Sequence, residues 1–574
     1  MAAVVAEEKQ ARVGTTGAPQ FAHRSGRSMA ELRTTGRWMG PDDRPLLGWL
    51  TTLAGTVGDI GVVIVPPVGY EYWTTHRTLR SLAERLARQG CTVLRVDHDG
   101  TGDSAGSQWD PDRVSCWRAT IGHAAAELSR LGTARLVIVG LRLGASFALL
   151  DGHAAGAEGV VAWAPVARGR RYVKEVQMLA TPVPSDSVYP ERDGAVVSAG
   201  TVFSAQTLND LAALDLTTLD ERPAGRVMVI DRPDRASSTD VVDRLEALGA
   251  KVDHLVLPGS EHALDQPTEY ATVPDEIIDE ICLWVGTSAT TPASLGSPIS
   301  SATIAWDGKP VTEEVVELGD AHLVGVLGRP PTPPLATVVF LNSGSEPHVG
   351  PGRAWVEYGR ALVAAGYATV RLDFSGWGES PDLDHAPGRP YDAHTIGEAA
   401  SAVRALDQLG LGPVVLAGLC AGAWIALRVA VDVPLGGIIA INPQLYWQDG
   451  DPVEADIVAE THARRVGEIS RYKSGARWGL WTALDMVGAR HPASTWLRQL
   501  VTGRARVLMI FTDGDDGLQF LEDRVGRAWR RAQRHGAAQV AVVPDIDHAM
   551  HRQWRRVEVI AAMRAFLDGW TRPG

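Results

Sequence analysis

Three residues in the C-terminal half have the types and the order needed for covalent chemistry. Cys420 lies in Gly418-Leu419-Cys420-Ala421-Gly422, between the apolar run VVLAGL and the helical run AGAWIALRVAV. A strand, a G-x-nucleophile-x-G turn and a helix together form a nucleophile elbow. The glycines let backbone and helix approach closely, and the turn exposes the central side chain at the helix N-terminus. An acid follows in Thr512-Asp513-Gly514-Asp515-Asp516-Gly517, after the apolar run RVLMIF. Asp515 is the first choice, with Asp513 and Asp516 as alternatives. His548 comes last, in a loop that starts at Pro544. Nucleophile, acid and His in that chain order define one known arrangement of a triad.

The chemistry expected of these residues is acyl transfer. A helix N-terminus and an imidazolium favour the thiolate of Cys420. His548 would manage the proton and Asp515 would hold the imidazole tautomer. The developing oxyanion needs preorganised N–H donors. The backbone of Ala421 is one candidate, and Gly344 or Ser345 in the loop Asn342-Ser343-Gly344-Ser345 is the other. The intermediate is a thioester, open to amines and thiols as well as water, so transfer or cyclisation stands beside hydrolysis.

The N-terminal half has the same turn with a different occupant, Gly140-Leu141-Arg142-Leu143-Gly144. A guanidinium stays protonated and forms no acyl-enzyme. Arg142 is therefore read as a substrate-binding cation for a carboxylate or phosphate, or as half of an internal salt bridge, for instance to Asp234. Asp234 and His262 form the matching acid–His remnant. His348, in EPHVGPGR, is a substrate-binding candidate if it faces the second site, and a surface loop residue otherwise. Trp447, with Trp478, Trp481 and Trp496, either lines a substrate site or packs a cap. His548 and His551 have an i, i+3 spacing, but no HExxH or carboxylate cluster accompanies them, so no metal and no cofactor is expected.

The elements that must position these residues recur. VLRVDHDGTGDSAG matches TVRLDFSGWGESPD, with Arg95, Asp97, Gly100, Gly102 and Ser104 each 276 positions from Arg371, Asp373, Gly376, Gly378 and Ser380. LVIVGLRLGASFALL matches VVLAGLCAGAWIALRVA, and LPGSEHALDQ matches VPDIDHAMHR. So long a period means two whole domains rather than stacked modules. In each half short apolar runs alternate with helical ones, which predicts a mainly parallel, doubly wound α/β sheet with functional loops at the carboxyl ends of its strands. The expected boundaries are a flexible segment 1–45, a first domain 46–287 with a cap insertion near 166–223, a linker 288–302, and a second domain 303–570 with a cap insertion near 443–504.

Composition bounds the rest. The 574 residues carry 45% hydrophobic and 21% charged residues and a net charge of −13, which is globular and argues against general nucleic-acid binding. Four widely spaced cysteines without CxxC fit a reducing cytoplasm. No leader-like segment or spanning run stands out, so no membrane association is expected.

NSGSEPHVGPGR, RLDFSGWGES and GLCAGA resemble the α/β-hydrolase superfamily, and the likeness extends over roughly 46–287 and 303–570. More narrowly, the second half resembles the Cys-elbow, serine-aminopeptidase-like hydrolases associated with bacterial exosortase systems. The first half, with GLRLGA and GRRYVKEVQML, is similar to their Arg-elbow sister group. The resemblance implies acyl chemistry in a tandem pair whose first member is degenerate. The expected function is a Cys-His-Asp acyl hydrolase, thioesterase or acyltransferase on a small-molecule or carrier-bound acyl substrate. The two halves would pair within the chain, and a homo-oligomer is compatible with that. The alternatives are a lactone or C–C hydrolase of dienelactone-hydrolase type, and a non-catalytic binding or scaffold protein.

Overall fold

Alternating apolar residues in each short strand place side chains on both faces of two sheets. In Ile60–Val65, Ile60, Val62 and Ile64 enter one core and Val63 and Val65 the other. In Thr337–Phe340, Val338 and Phe340 enter one core and Val339 the other. Both faces are covered by helices, so these strands are apolar throughout, as buried parallel strands require. The computed structural model describes residues 31–571 apart from 186, 190–192, 236–237, 294–299, 383–390, 446–504 and 523–525.

The first sheet has eight strands in the spatial order Leu32–Met39, Leu46–Leu53, Thr92–Val96, Ile60–Val65, Arg135–Leu141, Gly159–Trp163, Arg226–Asp231 and Lys251–Val256. The first two are antiparallel to their neighbours and the others are parallel. The second sheet repeats this order with Lys309–Leu318, Leu323–Arg329, Ala368–Leu372, Thr337–Phe340, Val414–Leu419, Gly437–Ile441, Arg506–Thr512 and Ala538–Val543. One further edge strand, Ser301–Trp306, precedes them. Registers repeat too: Trp49 faces Arg95 in the first sheet, as Val326 faces Arg371 in the second. The fold is two doubly wound, mainly parallel α/β sheets, one in each half.

Two boundaries differ from the sequence reading. The segment expected to be flexible up to residue 45 contains the strand Leu32–Met39, paired with Leu46–Leu53 and burying Trp38 and Met39. Its Thr, Gly and Arg residues concealed the strand, because its buried contacts are made with distant parts of the chain. Residues 1–30 lie outside the described residues. In the expected linker, Thr290–Pro292 pairs antiparallel with Thr56–Gly58. The first cap insertion holds the helices Gly169–Met178 and Ala205–Ala212 and a three-stranded sheet. The second, beyond Leu445, lies outside the described residues, and Trp447, Trp478, Trp481 and Trp496 lie there with it.

The two lobes meet through a reciprocal exchange of carboxylates. Asp103 and Glu379 occupy the same place in the repeated loop. Asp103 reaches into the second lobe, where Arg371 Nη2 donates to Oδ1 at 2.8 Å and His348 Nε2 to Oδ2 at 2.6 Å. Glu379 reaches into the first, where Arg95 Nη1 donates to Oε1 at 3.0 Å and His76 Nε2 lies 2.9 Å away. Backbone carbonyls are traded as well. Arg353 Nε donates to Gly102 O at 2.8 Å and Arg80 Nη1 to Ser380 O at 2.8 Å. The arrangement has the self-complementary character of a two-fold interface, built within one chain. Apolar patches flank it, with Trp38, Leu47 and Trp49 against Ile304, and Tyr72 and Trp73 against Val349 and Val356.

His348 is the most constrained of these groups. Its Nδ1 donates to Asp373 Oδ2 at 2.6 Å, opposite Asp103, and its side chain is 3% exposed. Burial opposes the imidazolium, but the two aspartates outweigh it and hold its pKa well above the usual value. The same contacts hold Asp373 below the usual carboxylate range. The unfolded chain loses the His348 proton above pH 6.5 while the folded protein retains it. We therefore expect His348→Gln to cost about 3–5 kcal/mol at pH 6. That deficit should shrink by roughly 1.4 kcal/mol per pH unit above 6.5, until the folded imidazolium itself titrates. Urea unfolding of both proteins from pH 5 to 9 measures it; a pH-independent gap contradicts a charged His348.

Candidate active site

The strand Val414–Leu419 delivers Cys420 to its carboxyl end, and the helix Ala421–Asp432 begins at the next residue. Cys420 takes φ 54° and ψ −108°, a backbone state that a residue with a side chain rarely adopts. Its flanking glycines are sterically required. A Cβ on Gly418 would stand 2.2 Å from the Gly422 carbonyl carbon, and one on Gly422 would stand 2.6 Å from Asn342 O. The sulfur is thus held out from a strained turn at the first free N–H groups of a helix.

The acid and base loops reach this sulfur from neighbouring strands. His548 Nδ1 lies 3.2 Å from Asp515 Oδ2, which leaves Nε2 for the hydrogen bond between His548 and Cys420. Asp515 is itself fixed, because its other oxygen accepts from Gly517 N at 2.8 Å. Among the acid candidates Asp515 is the one placed against His548; Asp513 is exposed, and the side chain of Asp516 lies outside the described residues. His548 keeps 44% of its side chain exposed.

The electrostatics favour an ion pair. Burial pushes the Cys420 thiol up, but hydrogen bonds from His548, Tyr391 and the Ala421 N–H bring its pKa below the ordinary value. Desolvation works against the His548 imidazolium, but Asp515 and the sulfur raise its pKa to about 10. Each group thus favours the charged form of the other, thiolate beside imidazolium.

Two side chains escaped the sequence reading. Tyr391 Oη lies 3.2 Å from Cys420 Sγ and 2.9 Å from Gln444 Oε1, with one proton shared between the two. Its position in a loop, far from any motif, leaves no signal in the sequence. Asn442 ties the acid and base loops together: its Nδ2 donates to His548 O at 3.0 Å and its Oδ1 accepts from Thr512 N at 2.9 Å. A signal did exist here, since the repeat aligns Asn442 with Ala164, and the clamp is missing from the half without a nucleophile.

The remaining candidates divide between the two elbows and the lobe boundary. Ala421 N–H points at the sulfur. Gly344 has φ +58°, and Ser345 lines a cavity of about 550 Å³ shared by the lobes with Trp73, Arg77 and Trp377. His348 is not a substrate contact, because both ring nitrogens are consumed by Asp103 and Asp373 at the lobe boundary. Arg142 repeats the elbow geometry, with φ 54° and ψ −118°. Its partner is not Asp234: its Nε donates to Glu71 Oε1 at 2.7 Å and its Nη2 to Glu175 Oε2 at 3.4 Å. Tyr172 packs under the guanidinium. Asp234 pairs with Arg232 and His262 with Glu261, so the structure does not assemble that acid–His remnant.

Residues 338–562 match the family model described as the alpha/beta hydrolase family. Among solved structures, a dienelactone hydrolase from Anabaena variabilis aligns at 14% identity and a TM-score of 0.32, covering 48% of this chain and 100% of that one. An esterase from Pyrococcus furiosus aligns at 14% identity and 0.32, covering 45% and 91%. Est1E from Butyrivibrio proteoclasticus, with ferulic acid bound, aligns at 12% identity and 0.33, covering 43% and 95%. Among the described residues, no helix is long and apolar enough to cross a membrane.

The ion pair has a direct signature. An unperturbed thiol with a pKa of about 8.5 reacts with iodoacetamide nearly 100-fold faster at pH 8 than at pH 6. Cys420 should change markedly less than that over the same range. Peptide-resolved mass spectrometry of the alkylation rate measures this, with Cys116 as internal comparison. Tyr391→Phe should restore part of the pH dependence by removing one donor to the thiolate.

Proposed function

We propose that the second lobe is a cysteine-nucleophile acyl enzyme acting on an ester or thioester. The observation that carries this reading is Cys420, held in a strained elbow and hydrogen-bonded to a histidine that Asp515 orients. The thiolate attacks the acyl carbonyl carbon, and the Ala421 N–H, beside the sulfur, is the donor proposed for the developing oxyanion. As the tetrahedral adduct collapses, the leaving oxygen or sulfur takes the proton from His548 Nε2, and the acyl group remains as a thioester on Cys420. Neutral His548 then accepts a proton from water, an alcohol or an amine, which releases acid, ester or amide. The thiolate leaves readily, so an amine or alcohol acceptor competes well with water at this site. Transfer is therefore as accessible as hydrolysis.

The first lobe has no nucleophile, and Glu71 and Glu175 neutralise the cation in its place. It is read as a catalytically silent partner. This pairing of a Cys elbow with an Arg elbow supports the resemblance to the serine-aminopeptidase-like hydrolases of exosortase systems and their sister group. A reducing cytoplasm suits a thiolate nucleophile beside three other cysteines, all free.

The test is capture of the intermediate. On exposure to p-nitrophenyl acetate or a short acyl-coenzyme A, the protein should gain one acyl group, mapped to Cys420 and removed by hydroxylamine. Cys420→Ala should not be labelled, and His548→Ala should slow acylation by about 10²–10⁴-fold. Product analysis with water alone and with added amine then separates hydrolysis from transfer. Acylation no faster than that of free cysteine, or unchanged in His548→Ala, overturns the reading in favour of a scaffold.

A further inference from the structure

The loop from Asn342 to His348 carries Gly344 and Ser345, and a single carboxylate fastens both of its ends. Asp373 Oδ1 accepts from Asn342 Nδ2 at 2.8 Å and from His348 N at 2.7 Å. Asn342 Nδ2 also reaches Glu346 O at 2.9 Å, and Asn342 Oδ1 accepts from Phe374 N at 2.9 Å. The loop rests on the elbow helix, because Asn342 O lies against Gly422. Asp373 Oδ2 accepts from His348 Nδ1 at 2.6 Å.

This chain of bonds does not end within its own lobe. His348 Nε2 donates across the boundary to Asp103 Oδ2 at 2.6 Å. Asp103 cannot turn away, because its Oδ1 is held by Arg371 Nε at 3.1 Å and Nη2 at 2.8 Å. Arg360 Nη2 donates to its carbonyl. Asp103 and Asp373 are fully buried and His348 nearly so. The run from Asp103 through His348 to Asp373 is therefore closed to water and made of short, charge-assisted bonds, which fix geometry more firmly than neutral ones.

We propose that Asp103, a residue of the silent first lobe, acts through His348 as a positioning residue for the loop Asn342–His348, and so sets the rate of acyl chemistry at Cys420 without touching substrate. This rests on the acyl-enzyme reading above. An oxyanion donor works only if it is in place before charge develops, and losing one costs about 10²–10³-fold in rate. The loop turns at a glycine with φ +58°, a residue free to leave that state, so its placement depends on how the two ends are held. The clamp holds both. Glu379 is the natural control. It occupies the equivalent position of the other lobe and makes a comparable buried pair across the same boundary, but its carboxylate binds Arg95 and His76 in the first lobe and does not touch this loop.

The test uses the full chain and three readouts on the wild type, Asp103→Asn, His348→Gln and Glu379→Gln. Alkylation of Cys420 by iodoacetamide reports the thiolate and needs no oxyanion donor. Turnover of p-nitrophenyl acetate needs one. Amide hydrogen exchange over 342–350 reports the loop itself. Asp103→Asn should exchange faster in that segment and lose about 10–100-fold in kcat with KM changed little, while its alkylation stays within about twofold of wild type. Glu379→Gln should leave kcat and the exchange of 342–350 unchanged. If Asp103→Asn does not fold, His348→Gln, which keeps a donor for one aspartate, carries the same comparison. Unchanged exchange, unchanged kcat, or an equal loss in Glu379→Gln overturns the proposal. Wild type that acylates no faster than free cysteine overturns the acyl-enzyme reading instead, and the positioning role falls with it.

Discussion

The site depends on a backbone turn that no ordinary residue enters freely. Cys420 is driven to φ 54° because an apolar strand must hand over to a helix within one residue. A Cβ at Gly418 or Gly422 would come within 2.2–2.6 Å of neighbouring backbone, so the turn has no room for side chains there. The strain, of the order of 1–3 kcal/mol, is borne by the sheet and the helix on either side. In return the sulfur projects to where loops from two other strands can reach it. His548, Asp515, Tyr391 and Asn442 are all consequences of that projection, since each lies on a segment whose ends are fixed by the same sheet.

Arg142 shows that the turn belongs to the fold rather than to the chemistry. With φ 54° and ψ −118° it has the same shape as Cys420, yet its side chain is engaged by Glu71, Glu175 and the ring of Tyr172. A guanidinium taken from water needs partners, and a carboxylate at 2.7 Å provides the closest. The parts that have gone from this half are the small polar ones. Where Asn442 stitches two loops together in the second lobe, the first has Ala164, and Asp234 and His262 have taken other partners. Among the described residues, the half with Arg142 at its elbow does not make the bonds that aim Asp515 and His548 in the other.

Much of this was legible in the chain. The repeat carried the fold, because its glycines and apolar runs recur at nearly constant offset and each encodes a local event. Cys420, Asp515 and His548 could be proposed because each ends a recognisable strand or precedes a helix. What stayed hidden were the interactions that join segments hundreds of residues apart. His348 looks like an exposed loop residue until Asp103 is placed beside it, 245 positions earlier in the chain. The strand Leu32–Met39 reads as polar linker until Trp38 is seen to meet Leu47, Trp49 and Ile304. Arg142 was assigned the wrong acid because a nearby carboxylate in the repeat was favoured over Glu71, which only the packing of the first helix brings close. Tyr391 left no trace of any kind.

The crossed carboxylates have a consequence for how such a chain can evolve. Asp103 neutralises charges of the C-terminal half and Glu379 those of the N-terminal half, so each half draws part of its counter-charge from the other. A gene fission between the sheets would yield two polypeptides, each with an arginine and a histidine facing solvent from a surface shaped to be dry. Either could regain its complement only by finding the other fragment. The half that carries Arg142 thereby keeps its place in a shared electrostatic lattice, and drift at the seam is less free than drift away from it.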